Sequence, residues 1–341
     1  MIVTFAANQA DMGGGEVMLL AMAAAATDSG HDARVVAPSG ELARASIERG
    51  FPTTVVRSSS TIGYLRALRR WASSERTGLL WCNGLRPAFA TAGQANRVVH
   101  LHQPPTRAQR LAAHAAIRGA VRVVVPSEFM RSVCPGRPVV VENWTEPLPV
   151  TARSMPLAVR PVTVGFLGRL SPDKGVTVLA EALTKLDREQ PGTYRLFLAG
   201  EPRFVSSRDS QAVDKALTPI EHITQRAGWV SREDFFDAVD LAVFPSVWEE
   251  PFGLVAAEAM SVRCPFIITD SGALPSVAGP EFPWIARRGD PADLARQISR
   301  ATRAYTERQL TESHQRWRDL YSPEAGRRRL AGILDQIGGH W

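Results

Sequence analysis

"LAVFPSVWEEPFGLVAAEAM", residues 241–260, carries the pattern on which the fold turns. Leu241–Phe244 is short, continuous and apolar, as a strand covered on both faces has to be. Pro245 and Pro251 bound a polar loop. From Leu254 to Met260 the residues are strong helix formers. A strand that passes through a tight loop directly into a helix is half of a βα unit, and the loop then stands at the carboxyl end of its strand. That is where open α/β sheets bind ligands. Glu250 precedes a proline and is biased away from helix, whereas Glu258 sits about one turn inside it. Between the two carboxylates lies a helix start, whose unpaired N–H groups favour an anion. Acidic residues ahead of a helix also stabilise its dipole, which gives Glu249 and Glu250 a plain structural reading too.

The same unit recurs on both sides of this stretch. Upstream, "IVTFAA", "ARVVAP", "TTVV", "GLLWCN", "RVVHLH", "VRVVVP" and "PVVVEN" read as strands, separated by Ala-rich or amphipathic segments. Residues 145–161, "TEPLPVTARSMPLAVRP", hold four prolines and no periodicity, and read as a linker. The alternation then restarts with "VTVGFLG", "YRLFLAG", "LAVFPS" and "PFIITD", and helices are expected near 174–187, 232–238, 253–261 and 291–305. The fold class predicted is α/β, with two doubly wound Rossmann-like domains. Residues 1–150 form the N-terminal domain and 162–320 the C-terminal one. The amphipathic helix in 321–341 is expected to pack back on the N-terminal domain.

A chain of 341 residues is long enough for two such domains. Its 45% hydrophobic and 22% charged residues are ordinary for a soluble globular protein. Cys82, Cys134 and Cys264 are too few and too scattered for a disulfide framework or a zinc cluster. "MIVTFAANQADMGGG" lacks a basic segment followed by an apolar one, and "VMLLAMAAAA" is too short to span a bilayer. A reducing cytoplasm is the location expected. Charge is uneven: residues 1–150 hold 16 Arg, no Lys and 10 acidic residues, net +6, while 151–341 hold 24 of each sign, net zero. Scattered arginines on solvated faces are the default explanation; the functional one is that the N-terminal half meets something anionic, a phosphorylated substrate or an acidic membrane surface. The basic stretch "LRALRRWASSER", residues 65–76, reads first as a solvated helix face and second, through Trp71, as a contact with anionic lipid. Nothing in the chain points to nucleic acid.

The strand exits supply the chemistry. After the first strand comes "NQADMGGGE", where Gly13 and Gly14 let an anion approach the backbone at a helix start. Met18 stands where a dinucleotide fingerprint needs its third glycine. His102, in "HLHQPP", leaves its strand ahead of two prolines. "GRLSPDKG", residues 168–175, places Arg169 and Lys174 around a turn. It is no Walker A loop, since Asp173 stands where glycine is required. Lys174 is one of three lysines against 37 arginines, which suits a position wanting a compact point charge. Glycines, two cations, a helix start and two carboxylates fit a nucleoside diphosphate joined to a polyol. No Asp-x-Asp and no His/Cys cluster offers a metal site, so none is expected.

"GRLSPDKG", "AGWVSREDFFDAVDLAVFPSVWEEPFGLVAAEAM" and "ITDSGALPSV" together resemble the retaining glycosyltransferases of family 4. The likeness is dense over 162–280 and thinner in "GGGEVMLLAMAAAATDSGHDARVVAP" and "VVVPSEFMRSV". It implies the GT-B fold, with two Rossmann-like domains facing across a cleft, an acceptor domain followed by a donor domain. It implies transfer of a sugar from a nucleoside-diphosphate donor, UDP-sugar ahead of GDP-sugar, to a hydroxyl acceptor, anionic or lipid-linked acceptors included. No further cofactor is implied. Carried onto this chain, Glu250 and His102 would meet the reacting sugar. Arg169, Lys174 and the N–H groups of Phe252, Gly253, Leu254 and Val255 would hold the diphosphate, with the Gly13–Gly14 turn closing over it. Glu258 would take the ribose, and Trp229–Val230 would border the base. Ser276 stands where the family often carries a glutamate, and "ENWTEP" replaces the usual turn near Asn143, so donor-sugar preference does not carry over. A nucleotide-sugar epimerase and a non-catalytic nucleotide-sugar binder are the competing readings.

Overall fold

The computed structural model describes residues 1–58, 60–149, 161–202 and 205–339. Most of the expected linker, residues 150–160, lies outside them. The chain divides into two compact units, Met1–Trp144 together with the chain from Pro323 on, and Thr145–Ser322. The C-terminal helix Pro323–Gly338 belongs to the first unit and packs on the helix Gly14–Asp28. Trp144 lies against that C-terminal helix at Gly326, where an added Cβ would stand 2.1 Å from the indole. Arg329 and Glu142 pair beside it at 3.2 Å.

The first unit is built on seven parallel strands: β1 Ile2–Ala6, β2 Asp32–Pro38, β3 Thr53–Val56, β4 Leu79–Asn83, β5 Arg97–His100, β6 Arg122–Val125 and β7 Val139–Val140. Their order is β3-β2-β1-β4-β5-β6-β7. Chain order reverses between β1 and β4, which makes the exits of those two strands the ligand-binding position of the sheet. β4 is buried at every residue, which the unbroken apolar run "LLWC" allows because helices cover both faces.

One buried charge organises this unit. Arg97, fully buried on β5, donates to the carbonyls of Gln94, Ala88, Ala116 and Arg118 and to the Thr91 hydroxyl. Ala88 and Ala116 lie near the C-terminal ends of the helices Leu85–Ala90 and Arg110–Ala116. Helix carbonyls, which carry the negative end of the dipole, thus stand in for a carboxylate.

The second unit has six parallel strands: β8 Val162–Leu167, β9 Tyr194–Ala199, β10 Thr224–Gly228, β11 Leu241–Phe244, β12 Phe266–Thr269 and β13 Ile285–Ala286. Their order is β10-β9-β8-β11-β12-β13, with the reversal between β8 and β11. β10 and β13 are additions to the four strands expected. Both are edges; β10, "TQRAG", is polar, and β13 is two residues long, so neither shows an apolar run.

The β8–β11 junction demands glycine. Gly175 has φ of 78°, and an added Cβ would lie 1.8 Å from the Pro245 carbonyl oxygen. Substitution Gly175→Ala is expected to cost about 3 kcal/mol or more, because it combines backbone strain with a contact that cannot relax. A melting temperature within a degree or so of the parent chain's would contradict that account.

Candidate active site

The exits of β8 and β11 are tied together by the main chain. After β8 a 3-10 turn, Pro172–Lys174, precedes Gly175 and the helix Val176–Glu189. Lys174 is therefore on the turn rather than on the helix itself. The Asp173 carbonyl accepts from Val247 N at 2.9 Å and Trp248 N at 3.2 Å. That bond holds the β11 loop against the β8 turn. Lys174 Nζ then reaches Glu250 Oε1 at 2.6 Å, and the Ser246 hydroxyl donates to the same oxygen at 2.6 Å. Ser246 is fixed in turn by Thr269, whose hydroxyl donates to its carbonyl at 2.7 Å. The Lys174 ammonium also lies 5.6 Å from the centre of the Trp248 ring, a cation–π distance. Arg169 pairs with the Asp173 carboxylate at 2.6 Å, and its Nε is buried with no hydrogen-bond partner. Burial opposes ionisation of Asp173, but hydrogen bonds from Ser171 and Arg169 and the charges of Arg169 and Lys174 bring it below the usual range.

Gly253, at φ of 95°, caps the helix Leu254–Ser261, and an added Cβ there would strike Leu274 at 2.4 Å. The Phe252 ring is buried and packs edge-on to Tyr321. Leu254 and Val255 open the helix. Further along, the buried Glu258 accepts from Arg232 Nε at 2.6 Å through Oε1, while Oε2 is buried with no partner. Burial pushes the Glu258 carboxyl above the usual range. The Arg232 charge and hydrogen bond pull it back, and Glu233 adds to the rise. Trp229, two residues ahead of the Ser231 cap, is 72% exposed, with Val230 half-buried beside it. A large indole standing in solvent is an available stacking surface.

In the first unit, Gly13 and Gly14 open the helix Gly14–Asp28 at the exit of β1. His102 follows β5, with its ring centre 3.9 Å from that of His100. Asn83 Nδ2 donates to the Gly15 carbonyl at 2.9 Å, which leaves Asn83 Oδ1 to accept from His102 Nε2 at 2.6 Å. The proton of His102 is thereby assigned to Nε2, with Nδ1 as the lone-pair nitrogen. Burial lowers His102 to about 4, so the imidazole is neutral near pH 7. His100 accepts from Trp81 Nε1 at 3.4 Å, and its Nε2 is buried without a partner. Burial, with the neighbouring His102, lowers it well below the ordinary value.

Sequence reasoning did not assign Ser246, Asp173, Arg232, Asn83 or Glu16. Asn83 had a readable signal, a polar residue closing an otherwise apolar strand. Arg232 had none, because its meaning depends on a partner 26 positions away. Among the described residues no group of three or more His, Cys, Asp or Glu side chains is placed to hold a metal ion. No helix among them is long and apolar enough to cross a membrane.

Comparison with known proteins falls on the same two units. Residues 12–135 match the model for glycosyltransferase family 4, and residues 161–303 match that for glycosyl transferases group 1. Glycogen synthase of Mycobacterium tuberculosis is 32% identical over 134 residues, covering 37% of this chain and 31% of that protein. The D-inositol 3-phosphate glycosyltransferase of Corynebacterium jeikeium is 28% identical over 191 residues, 52% of this chain and 42% of its own. The matched stretches thus span less than half of those relatives. Anabaena HepE, solved in complex with UDP-glucose, superposes with a TM-score of 0.81 over 98% of this chain and 100% of its own, at 19% identity. The fold is GT-B. The chain belongs to the glycosyltransferases of family 4.

Glu16, in the first turn after the glycines, is 4% exposed, with Gln9 Nε2 at 3.4 Å. Burial pushes its carboxyl up from 4.5 to about 7, with Asp11 adding to the rise, against the Glu16 and Gly13 N–H groups and the Arg86 charge. A raised acid stabilises the fold in its protonated form. That contribution is complete below pH 4.5 and lost as pH rises to about 7. Glu16→Gln is therefore expected to gain about 1–3 kcal/mol over the parent at pH 8 and little at pH 4. Parallel melting-temperature profiles for the two proteins would disprove it.

Proposed function

We propose that this chain transfers a sugar from a nucleoside diphosphate, with UDP the preferred carrier, to a hydroxyl acceptor, with retention of anomeric configuration and without a metal. The observation that carries this reading is the Lys174–Glu250 contact at the β8–β11 switch point, just ahead of the helix that carries Glu258 one turn in. It gathers two cations, amide donors and two carboxylates at one strand-exit edge. Arg169 and Lys174, with the amides from Phe252 to Val255, take the diphosphate. Glu258 takes the ribose hydroxyls, Trp229–Val230 the base, and Glu250 the hydroxyls of the donated sugar. HepE, with the same fold, was solved with UDP-glucose, which supports a uridine carrier.

In the reaction the bond between the anomeric carbon and the phosphate oxygen breaks as the acceptor oxygen bonds to that carbon from the same face. The departing phosphate oxygen takes the acceptor proton. Negative charge then grows on the diphosphate, and the fixed cations and amides stabilise it without reorganising. The chain need supply no nucleophile. His102, neutral and held by Asn83, offers hydrogen bonding rather than a positive charge at the strand exits of the first unit.

The first unit carries a second contact. Residues 49–127 hold 12 Arg and one acidic residue, Glu75, a balance of +11. Trp71, the expected anchor, packs against the core instead. Ile62 is 63% exposed and Leu111 85%, on the two helices that flank and pack on Leu85–Ala90. We propose that the surface around Ile62 and Leu111 meets anionic lipid, drawn by the positive balance of this unit, which also suits a lipid-linked acceptor.

Two measurements follow. Lys174→Ala is expected to lower kcat/KM by about 10²–10³ with UDP-sugar and to leave the melting temperature close to the parent's; near-normal turnover would refute the diphosphate assignment. Flotation should recover the chain with phosphatidylglycerol vesicles, fail with phosphatidylcholine, and weaken in Ile62→Asp/Leu111→Asp. Equal recovery with both lipids removes the membrane reading.

A further inference from the structure

Arg232 makes a contact that the transfer reaction itself does not require. It opens the helix Arg232–Ala238 after the Ser231 cap, and its Nε donates to Glu258 Oε1 at 2.6 Å. The two partners are unlike in exposure, the arginine side chain at 46% and the glutamate at 7%. Glu258 Oε2 meanwhile is buried with no hydrogen-bond partner. A buried carboxylate oxygen left unbonded is costly, and in a folded protein it asks for an explanation. A ligand hydroxyl would supply one.

We propose that Arg232 is a positioning residue for ribose selection: by holding Glu258 Oε1 it fixes the carboxylate for a ribose diol and sets the preference for nucleotides that carry the 2′-hydroxyl. This rests on the reading of Glu258 as the ribose site. An ionised carboxylate is purely an acceptor and can take both hydroxyls of a vicinal diol, whereas a protonated one gives up an acceptor position to a donor. Burial favours the protonated form of Glu258, and Arg232 opposes it by charge and hydrogen bond.

The other groups around Glu258 do not replace that opposition. Glu233, on the same helix as Arg232, works with burial. The helix Glu307–Arg316, packed on Leu254–Ser261, presents His314 to the Met260 carbonyl at 3.2 Å rather than to Glu258. Arg318 and Asp319 on the turn that follows are exposed. The packed helix Leu274–Ala278 and strands β11 and β12 hold no charged residue. Without Arg232, burial and Glu233 act unopposed, and Glu258 holds its proton to higher pH.

The experiment is calorimetric titration of the full chain with UDP and with 2′-deoxy-UDP across neutral pH. The ratio of the two affinities is the readout, because the diphosphate's own titration is common to both ligands and cancels. The parent chain is expected to favour UDP by roughly 10- to 100-fold, the range for a hydroxyl bonded to a charged acceptor. In Arg232→Ala the ratio should fall severalfold below the parent's at the low end of the pH range and recover as pH rises. Arg232→Lys, which restores a charge, should keep most of the ratio. Arg232→Gln keeps the bulk and should behave as the alanine variant, which guards against a folding defect in the latter. A ratio and pH profile in Arg232→Ala and Arg232→Gln equal to the parent's overturns the proposal while leaving the ribose reading of Glu258 intact. A parent chain that binds UDP and 2′-deoxy-UDP alike overturns that reading, and this proposal with it.

Discussion

One carbonyl oxygen fixes the geometry of the second unit's strand exits. The Asp173 carbonyl accepts from two consecutive amides, Val247 and Trp248, and so joins the turn after β8 to the loop after β11. The joint closes only because Gly175 has no side chain to strike the Pro245 carbonyl. Everything chemical there follows from it. The side chain of Lys174, next to Asp173, is delivered to Glu250, and Ser246 comes close enough to share the same carboxylate oxygen. A second glycine extends the constraint: Gly272, at φ of 54°, lies so close to Glu250 that an added Cβ would stand 2.3 Å from its carbonyl oxygen. Backbone packing at a sheet reversal, rather than side-chain reach, places the charged groups.

The first unit solves the same problem with neutral groups. Its strand exits hold two histidines whose charges are suppressed by burial, and an asparagine oriented by a glycine carbonyl. Arg97, a fully buried cation, is satisfied by backbone carbonyls and the Thr91 hydroxyl and stands at the start of β5, away from the exits. The arginine excess of this half is therefore a property of its surface. At the strand exits hydrogen-bond geometry is fixed by neutral imidazoles and an amide, while the arginines outside the core supply a field that attracts anions.

The architecture was legible because covered parallel strands must be apolar throughout, so eleven of thirteen strands stand out as short hydrophobic runs followed by helix formers. β10 and β13 were not legible: edge strands bury less and tolerate "TQRAG" or a mere pair of residues. The site divides on similar lines. Glu250, Glu258, Arg169, Lys174 and the glycines could be picked out because each follows a strand or opens a helix. Ser246 and Arg232 matter through contacts that depend on register between separate βα units, which a linear reading does not contain. Trp71 shows the opposite failure. An aromatic in a basic stretch looked like a surface anchor, but its helix turns that face toward the core, and the exposed apolar side chains come from Ile62 and Leu111.

Two ion pairs of the second unit, Lys174–Glu250 and Arg232–Glu258, share an asymmetry that bears on how they could respond to an anion. In Lys174–Glu250 the side-chain exposures are 27% and 11%, and in Arg232–Glu258 they are 46% and 7%. Each time the carboxylate is the buried, constrained partner and the cation the more accessible one on a long stem. A buried carboxylate stripped of its cation would be strongly disfavoured unless other donors replace it. Ser246 already donates to Glu250, so that carboxylate would keep a partner if Lys174 turned to a bound anion. Glu258 has no such second donor, and its free oxygen is the one a diol would have to satisfy. The pairs are therefore unequal: the first can release its cation to a ligand, whereas the second must keep its cation or receive hydroxyl donors in exchange. That difference follows from one serine hydroxyl; under the proposed assignment it gives mobility to the phosphate end of the site and rigidity to the ribose end.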